Sequence, residues 1–219
     1  RDLRMSRGLG DVYKRQSKHS ALSFRHFVLG TVAIFIYVGV EVGIPNFANL
    51  FMTSPEINID PTIAGSVVGT YWFLMMIGRL CGASIGAKVS SRAMLTVVST
   101  VGIALVLGAI FCADNILVNM PVFKSDISFG FAQVPVNVML LILCGLCTSV
   151  MWGGIFNLAV EGLGKYTAAA SGLFMVMVCG GGILPLIQGG VADFAGFLNS
   201  YWVIALGLAY ILFLSLIHI

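Results

Sequence analysis

The chain has 219 residues, of which 58% are hydrophobic and only 10% are charged, with a formal net charge of +3. Together with a mean hydropathy of +0.99, this composition excludes a soluble globular domain and predicts an integral membrane protein. The positive charge is too small and too dispersed to favour nucleic-acid binding.

The two ends of the sequence differ from what lies between them. Residues 1–16, RDLRMSRGLGDVYKRQ, are basic and polar, and residues 214–219, LSLIHI, end within an apolar run. Both stretches resemble translated adapter sequence. We therefore expect residues 1–16 and 214–219 to be non-native and residues 17–213 to carry the fold.

Six apolar segments are long enough to cross the roughly 30 Å hydrocarbon layer of a bilayer as helices. The predicted membrane-spanning helices are 27–51, 62–87, 93–113, 138–160, 168–192 and 200–217. Most connections are short, and the longest, residues 114–137, is expected to be an exposed loop with a short interfacial piece around residues 123–131. The sequence thus predicts an all-α membrane protein.

The basic residues predict an orientation, because short cytoplasmic loops carry an excess of Lys and Arg. Lys124 is assigned to the side opposite the start of the first helix. The bases assigned to the starting side are Lys18, Arg25, Arg79, Lys88, Arg92 and Lys165. The start of the chain and the turns at 88–92 and 161–167 are therefore expected in the cytoplasm, with the long loop outside.

The first helix contains Glu41, an acid that is costly to place at membrane depth and so normally faces a cavity or a partner. Helical periodicity puts Tyr37 on the same face and Asn49 at its edge, whereas Asn46 lies nearly opposite unless Pro45 kinks the helix. A phenol, a carboxylate and an amide suit a polyhydroxylated ligand or a coupling cation. The alternative is that Glu41 pairs with another helix for packing alone.

Two later helices carry further candidates. Trp152 shares a face with Thr148 next to two glycines, and an aromatic ring beside small residues is suited to stacking a sugar ring, although packing is an equal alternative. In the fifth helix, Gln188 and the glycine run 180–182 before Pro185 suggest a bending, gate-like segment that contacts the substrate.

Metal, redox and enzymatic sites are not expected. The three histidines lie near the chain ends without metal-ligand spacing, and the CxxC formed by Cys144 and Cys147 falls inside an apolar run, where packing is its expected role. No nucleophile and base, and no paired acids, occur together at membrane depth. We therefore predict no metal, no cofactor and no enzyme activity.

The stretch GRLCGASIGAKVSSRAM, residues 78–94, runs from the end of the second helix through the basic turn. It resembles the cytoplasmic-loop signature of the major facilitator superfamily in the form found in the second half of those transporters. Its signature residues are Gly78, Arg79, Gly82, Gly86, Lys88 and Arg92. Together with YVGVEVGIPNF, MWGGIFNLAVEGLGKYT and SGLFMVMVCGGGILPLIQGGVAD, it makes the chain similar to the fucose and glucose/galactose permease branch. One difference is Gly153, where fucose permease carries a proline.

The resemblance implies one carboxyl-terminal half, built of two three-helix inverted repeats, of a twelve-helix transporter in a bacterial inner membrane. It implies uptake of a monosaccharide of the fucose, glucose or galactose type, coupled to a cation such as H⁺, with the missing amino-terminal half and the lipid bilayer as partners. Arg79, Lys88 and Arg92 are expected to latch one conformation at the cytoplasmic side. The alternatives are a drug or metabolite exporter of the same superfamily and a structural membrane protein.

Overall fold

The computed structural model describes residues 20–217 except 87, 114 and 125. The expected adapter stretch 1–16 lies outside the described residues, as do the last two residues of the stretch 214–219. Residues 214–216 continue the last helix, where Leu214 is buried and the Ser215 hydroxyl lies 3.0 Å from that of Thr96.

Six segments of the described chain are long and apolar enough to cross a membrane. They are α1 (Arg25–Thr53), α2 (Pro61–Gly86), α3 (Ser91–Phe111), α4 and α5 (Val136–Thr148 and Met151–Val160), α6 and α7 (Thr167–Val176 and Gly180–Ala195), and α8 (Phe197–Leu216). The six predicted spans are confirmed, with their ends shifted by a few residues.

Local sequence explains where several helices begin. Pro61 opens α2 at a position where its missing N–H costs nothing, and the carboxylate of Asp60 accepts a 2.8 Å hydrogen bond from the backbone N–H of Thr62. This bond lowers the pKa of Asp60. At the start of α3, the Ser90 hydroxyl accepts from the backbone N–H of Ala93 at 3.3 Å.

Helix α1 lies at the centre of the bundle, where it packs against α2, α4, α5, α7 and α8. Phe27, Ile34, Tyr37 and Ile44, spread along its length, are fully buried. Helices α2, α3 and α6–α7 are much less buried. The central position of α1 means that Glu41, in the middle of the helix, meets other helices rather than lipid.

Helix α2 approaches the fourth span closely because it presents glycine there. A Cβ at Gly78 would overlap Ser149, and one at Gly82 would overlap Val150. On the facing helix, a Cβ at Gly145 would lie 2.6 Å from the carbonyl oxygen of Tyr71. The small residues of α2 and Gly145 of the fourth span therefore allow the two helices to pack closely.

The fourth span is interrupted between α4 and α5 by a turn at Ser149 and Val150. This break forms even though the chain has Gly153 at the position where fucose permease carries a proline. The Ser149 hydroxyl donates a 2.6 Å hydrogen bond to the carbonyl of Leu146, which competes with the regular helical pattern. The fifth span is likewise interrupted, by a 3₁₀ turn at Met177–Cys179 just before Gly180.

The long connection contains a β-hairpin, so the prediction of an exposed loop is wrong for residues 117–135. Strands β1 (Leu117–Phe123) and β2 (Phe129–Pro135) pair antiparallel with Phe123 opposite Phe129. Alternate residues of each strand are buried, among them Val122 and Val134. This period of two is a strand signal, and turn residues at both ends obscured it in the sequence.

Candidate functional site

The site is centred on an ion pair between α1 and α2. The guanidinium Nη2 of Arg79 lies 2.9 Å from Oε1 of Glu41. The Glu41 side chain is only 12% exposed, whereas that of Arg79 is 56% exposed. The acid at membrane depth therefore has a charged partner, and the arginine is the member that presents most surface to the surroundings.

The backbone at Glu41 is held by a tyrosine from α2. Pro45 has no N–H, so the carbonyl of Glu41, four residues earlier, lacks its usual helical donor. The Tyr71 hydroxyl donates to this carbonyl at 3.2 Å and lies 3.1 Å from the Thr148 hydroxyl. The proline of α1 thus leaves an acceptor that Tyr71 of α2 satisfies.

A second tyrosine links α1 to the interrupted fourth span. The buried Tyr37 hydroxyl donates to the carbonyl of Thr148, the last residue of α4, at 3.1 Å. The ring of Tyr37 lies edge-on to that of Trp152, with 6.2 Å between centroids. Tyr37 therefore supports both the break in the fourth span and the indole that follows it.

A cavity of about 710 Å³ opens beside the ion pair. It is bordered by Glu41 of α1 and by parts of α2, α3 and the fourth span. The lining residues are Glu41, Arg79, Gly82, Ala83, Gly86, Ser91, Met94, Ser149, Val150, Trp152, Gly153, Gly154 and Asn157. The structure thus brings together Glu41 and Trp152, which are far apart in sequence, and places Tyr37 directly behind the indole.

Three other candidate residues lie away from this cavity. Asn46 is exposed and Asn49 is half-buried, and neither is among the described residues that line it. Asn49 is eight residues beyond Glu41, or about 12 Å along a helix. Gln188 is fully buried against Gly43, with its amide nitrogen 3.4 Å from the Ser200 hydroxyl. Their assignment to substrate binding stays a prediction.

Sequence reasoning placed Arg79 in the cytoplasmic motif and missed it as a cavity residue. The sequence does contain a feature that indicates a cavity position for Arg79. This residue lies well inside the apolar run of the second helix, at a depth where a basic side chain needs a partner. Asn157 was also missed; its amide donates to the Ser91 hydroxyl at 3.2 Å. Lys88 is exposed in the turn after α2, and Arg92 borders a separate cavity with His26 and Glu161.

Comparison with known proteins gives relatives of one kind. No protein-family model matches the sequence. The chain is 31% identical to the glucose/galactose transporter of Brucella abortus biovar 1, over 90% of this chain and 43% of that protein. It is 22% identical to the L-fucose-proton symporter of Escherichia coli K12, over 78% of this chain and 35% of that protein.

The fold gives the same result. A crystal structure of a major facilitator superfamily transporter, FucP, in the outward conformation superposes with a TM-score of 0.73 at 22% identity, covering 93% of this chain and 43% of that one. The chain therefore spans a little under half the length of the proteins that it matches. By sequence the chain is similar to a glucose/galactose transporter and to a fucose-proton symporter, and it has the fold of one half of a major facilitator superfamily transporter.

Proposed function

We propose that the chain is the carboxyl-terminal half of a twelve-helix secondary transporter that takes up a monosaccharide together with a cation such as H⁺. The relatives, a glucose/galactose transporter and a fucose-proton symporter, support sugar uptake over export of drugs or metabolites. The missing amino-terminal half would supply the opposite wall of the pathway. Transport by alternating access would rock the two halves about a site near the midplane.

The observation that carries the proposal is the Glu41–Arg79 pair at the edge of the cavity. An ion pair with a buried carboxylate is a poor way to gain stability, because desolvation of the acid offsets much of the Coulomb attraction. Beside an open cavity it has a use, since carboxylate and guanidinium groups hydrogen-bond sugar hydroxyls. Trp152, only partly buried, would supply the apolar surface on which a pyranose ring stacks.

The polar groups around the pair fit the same role. Ser91, Ser149 and Asn157 line the cavity and add short donors and acceptors to its apolar walls. A few placed polar groups in a mostly apolar cleft are typical of small-molecule sites. Tyr37 would act behind the site, by holding Trp152, rather than by touching the sugar.

We further propose that the start of α1 lies in the cytoplasm and that the protein resides in a bacterial plasma membrane. Arg25, Lys88, Arg92 and Lys165 fall at one end of the bundle, and Lys124 falls at the other, which supports this orientation through the positive-inside rule. The hairpin β1–β2 would then face outwards.

The proposal is tested by uptake of labelled fucose, glucose and galactose by the full-length transporter in proteoliposomes. Glu41→Gln should lower uptake roughly tenfold or more, because it removes a ligand and leaves Arg79 without its partner. Glu56→Gln, in the exposed turn after α1, is the matched control and should leave uptake unchanged. Unchanged uptake in Glu41→Gln would remove this acid from the site.

The double variant Glu41→Gln with Arg79→Gln separates function from packing. If the pair serves packing alone, neutralising both members should restore most of the activity, because no charge is left unpaired. If the pair binds the sugar, the double variant should fold and still fail to transport. Monodispersity of the purified variants shows which of them fold.

A further inference from the structure

The hairpin is fastened to α2 by aromatic and polar contacts. The rings of Phe73 and Phe123 stack with 4.7 Å between centroids and 7° between planes, and Phe129 meets both rings edge-on. The Thr70 hydroxyl accepts a 2.9 Å hydrogen bond from the backbone N–H of Phe123. These contacts join the tip of the hairpin and the first half of α2 into one body.

This attachment lies at membrane depth. Helix α2 has 26 residues, and at 1.5 Å per residue it is about 38 Å long, only some 8 Å more than the hydrocarbon layer. Phe73 lies about 18 Å along the helix from Pro61. Even if all of the roughly 8 Å by which α2 exceeds the hydrocarbon layer extends beyond the layer at the Pro61 end, Phe73 is still about 10 Å inside it. The tip of the hairpin is therefore beside α2 at the level of the acyl chains.

The hairpin is not suited to direct contact with lipid. Its sheet has two strands in the described chain, so each strand has one edge without a strand partner. Open sheet edges do not occur in contact with lipid, because their backbone groups find no hydrogen-bond partners there. The hairpin must instead face protein or a water-filled space.

The exposed side chains of the hairpin indicate that it faces protein rather than water. Around the tip, Phe129 is 67% exposed, Phe131 is 78% exposed and Ile127 is 81% exposed. A sheet face that meets only water is normally polar. An exposed cluster of large apolar side chains usually marks an interaction surface.

We propose that this exposed face of the hairpin docks on the apolar outer helix ends of the transporter's other half whenever the outer side of the pathway closes. The inference rests on the proposed function, because it needs a second half that moves against this one. The relatives are more than twice as long as the part that they share with this chain, which leaves a body of similar size to supply the partner surface. Between the hairpin and α2, a groove of about 950 Å³ also lies open, with Gly65 in its wall.

Cross-linking tests whether the hairpin moves with α2. Thr70→Cys and Phe123→Cys are combined in a full-length transporter whose less buried cysteines, Cys81, Cys112 and Cys179, are replaced by serine. A disulfide between the two new thiols should leave hexose uptake within about twofold of the reduced protein, because docking moves both elements together. Loss of uptake that returns on reduction would overturn the inference, since the hairpin would then have to leave α2.

Labelling tests the docking itself. Phe131→Cys should react with a membrane-impermeant maleimide, and saturating hexose, which populates the outward-closed state during turnover, should slow that reaction roughly threefold or more. Glu56→Cys, in the turn at the same end of the bundle, should react equally with and without sugar. A rate at Phe131→Cys that hexose does not change, or reaction only with a lipid-soluble maleimide, would overturn docking.

Uptake by the unmodified protein separates the two proposals. Uptake of hexose together with unchanged labelling at Phe131→Cys would overturn the hairpin inference alone. Absence of uptake for every sugar tested would overturn the proposed function and, with it, the inference that rests on it.

Discussion

At the residue scale, Pro45 explains why a tyrosine hydroxyl donates to a backbone carbonyl in the middle of α1. The Tyr71 hydroxyl bonds the carbonyl that Pro45 leaves without a donor, and the Tyr201 hydroxyl donates to the neighbouring carbonyl of Ile44 at 2.8 Å. Both tyrosines are fully buried. In an apolar setting an unpaired carbonyl costs free energy, so Tyr71 of α2 stabilises the part of α1 that Pro45 leaves one hydrogen bond short, next to Glu41.

Tyr71→Phe should therefore destabilise the protein by about 1–2 kcal/mol, because it leaves the Glu41 carbonyl without a donor. In a Pro45→Ala background the same change should cost less, because the new N–H at position 45 can bond that carbonyl. Denaturant unfolding of the purified full-length variants measures both costs.

Tyr210→Phe is the matched control for this cycle. It removes a 3.2 Å hydrogen bond to the carbonyl of Leu29, which is also on α1 but lies away from any proline. Its cost should not depend on Pro45→Ala. Equal costs for Tyr71→Phe in the two backgrounds would show that the hydroxyl does not compensate for the proline.

At the element scale, α2 packs against the fourth span through its glycines and forms the ion pair with Glu41 through Arg79. Gly78 and Gly82 face the break between α4 and α5 and allow close approach, whereas Arg79, one residue from Gly78, reaches Glu41 and the cavity. The distance between α2 and the fourth span therefore also sets where the guanidinium lies. A change in that distance should disturb the ion pair without touching either of its members.

Gly78→Ala and Gly82→Ala should each destabilise the protein by about 1–3 kcal/mol, because the new methyl group overlaps Ser149 or Val150. Gly86→Ala is the control in the same helix, since its Cβ would meet only the flexible end of Met94 at 3.7 Å. Thermal unfolding of the three variants in detergent compares them. A cost for Gly86→Ala as large as that for Gly82→Ala would argue against steric overlap as the cause.

At the scale of the whole molecule, the chain is uneven in burial and in charge. Most residues of the central parts of α1 and the fourth span are buried, whereas only a minority of those in α2, α3 and α6–α7 are buried. A bilayer covers exposed apolar surface on some helices, and a second half of the transporter would cover it on others. The basic turns lie at the end of the bundle where α1 begins.

This charge distribution predicts the sidedness of the protein. In intact cells, Glu56→Cys should react with an impermeant maleimide, and Lys165→Cys, in the turn between α5 and α6, should react only after the membrane is permeabilised. Each rate is compared with that of the protein without the new cysteine. The reverse pattern would place the start of α1 outside.

The sequence by itself determined the six membrane spans, the acid in the first of them and the aromatic residue in the fourth. These depend on hydropathy, on segment length and on the cost of a charge in lipid, all of which are local properties of the chain. The resemblance to the major facilitator superfamily was also readable from the sequence, because its signature is one continuous stretch, residues 78–94.

Only the tertiary structure decided which polar groups meet. It paired Arg79 with Glu41, made Thr148 a shared partner of Tyr37 and Tyr71, and separated Gln188 from the cavity. It also folded residues 117–135 into a hairpin against α2. Helical periodicity gives the face of a residue on its own helix, but the rotation and axial offset between helices come from packing across the whole bundle, which no local pattern records.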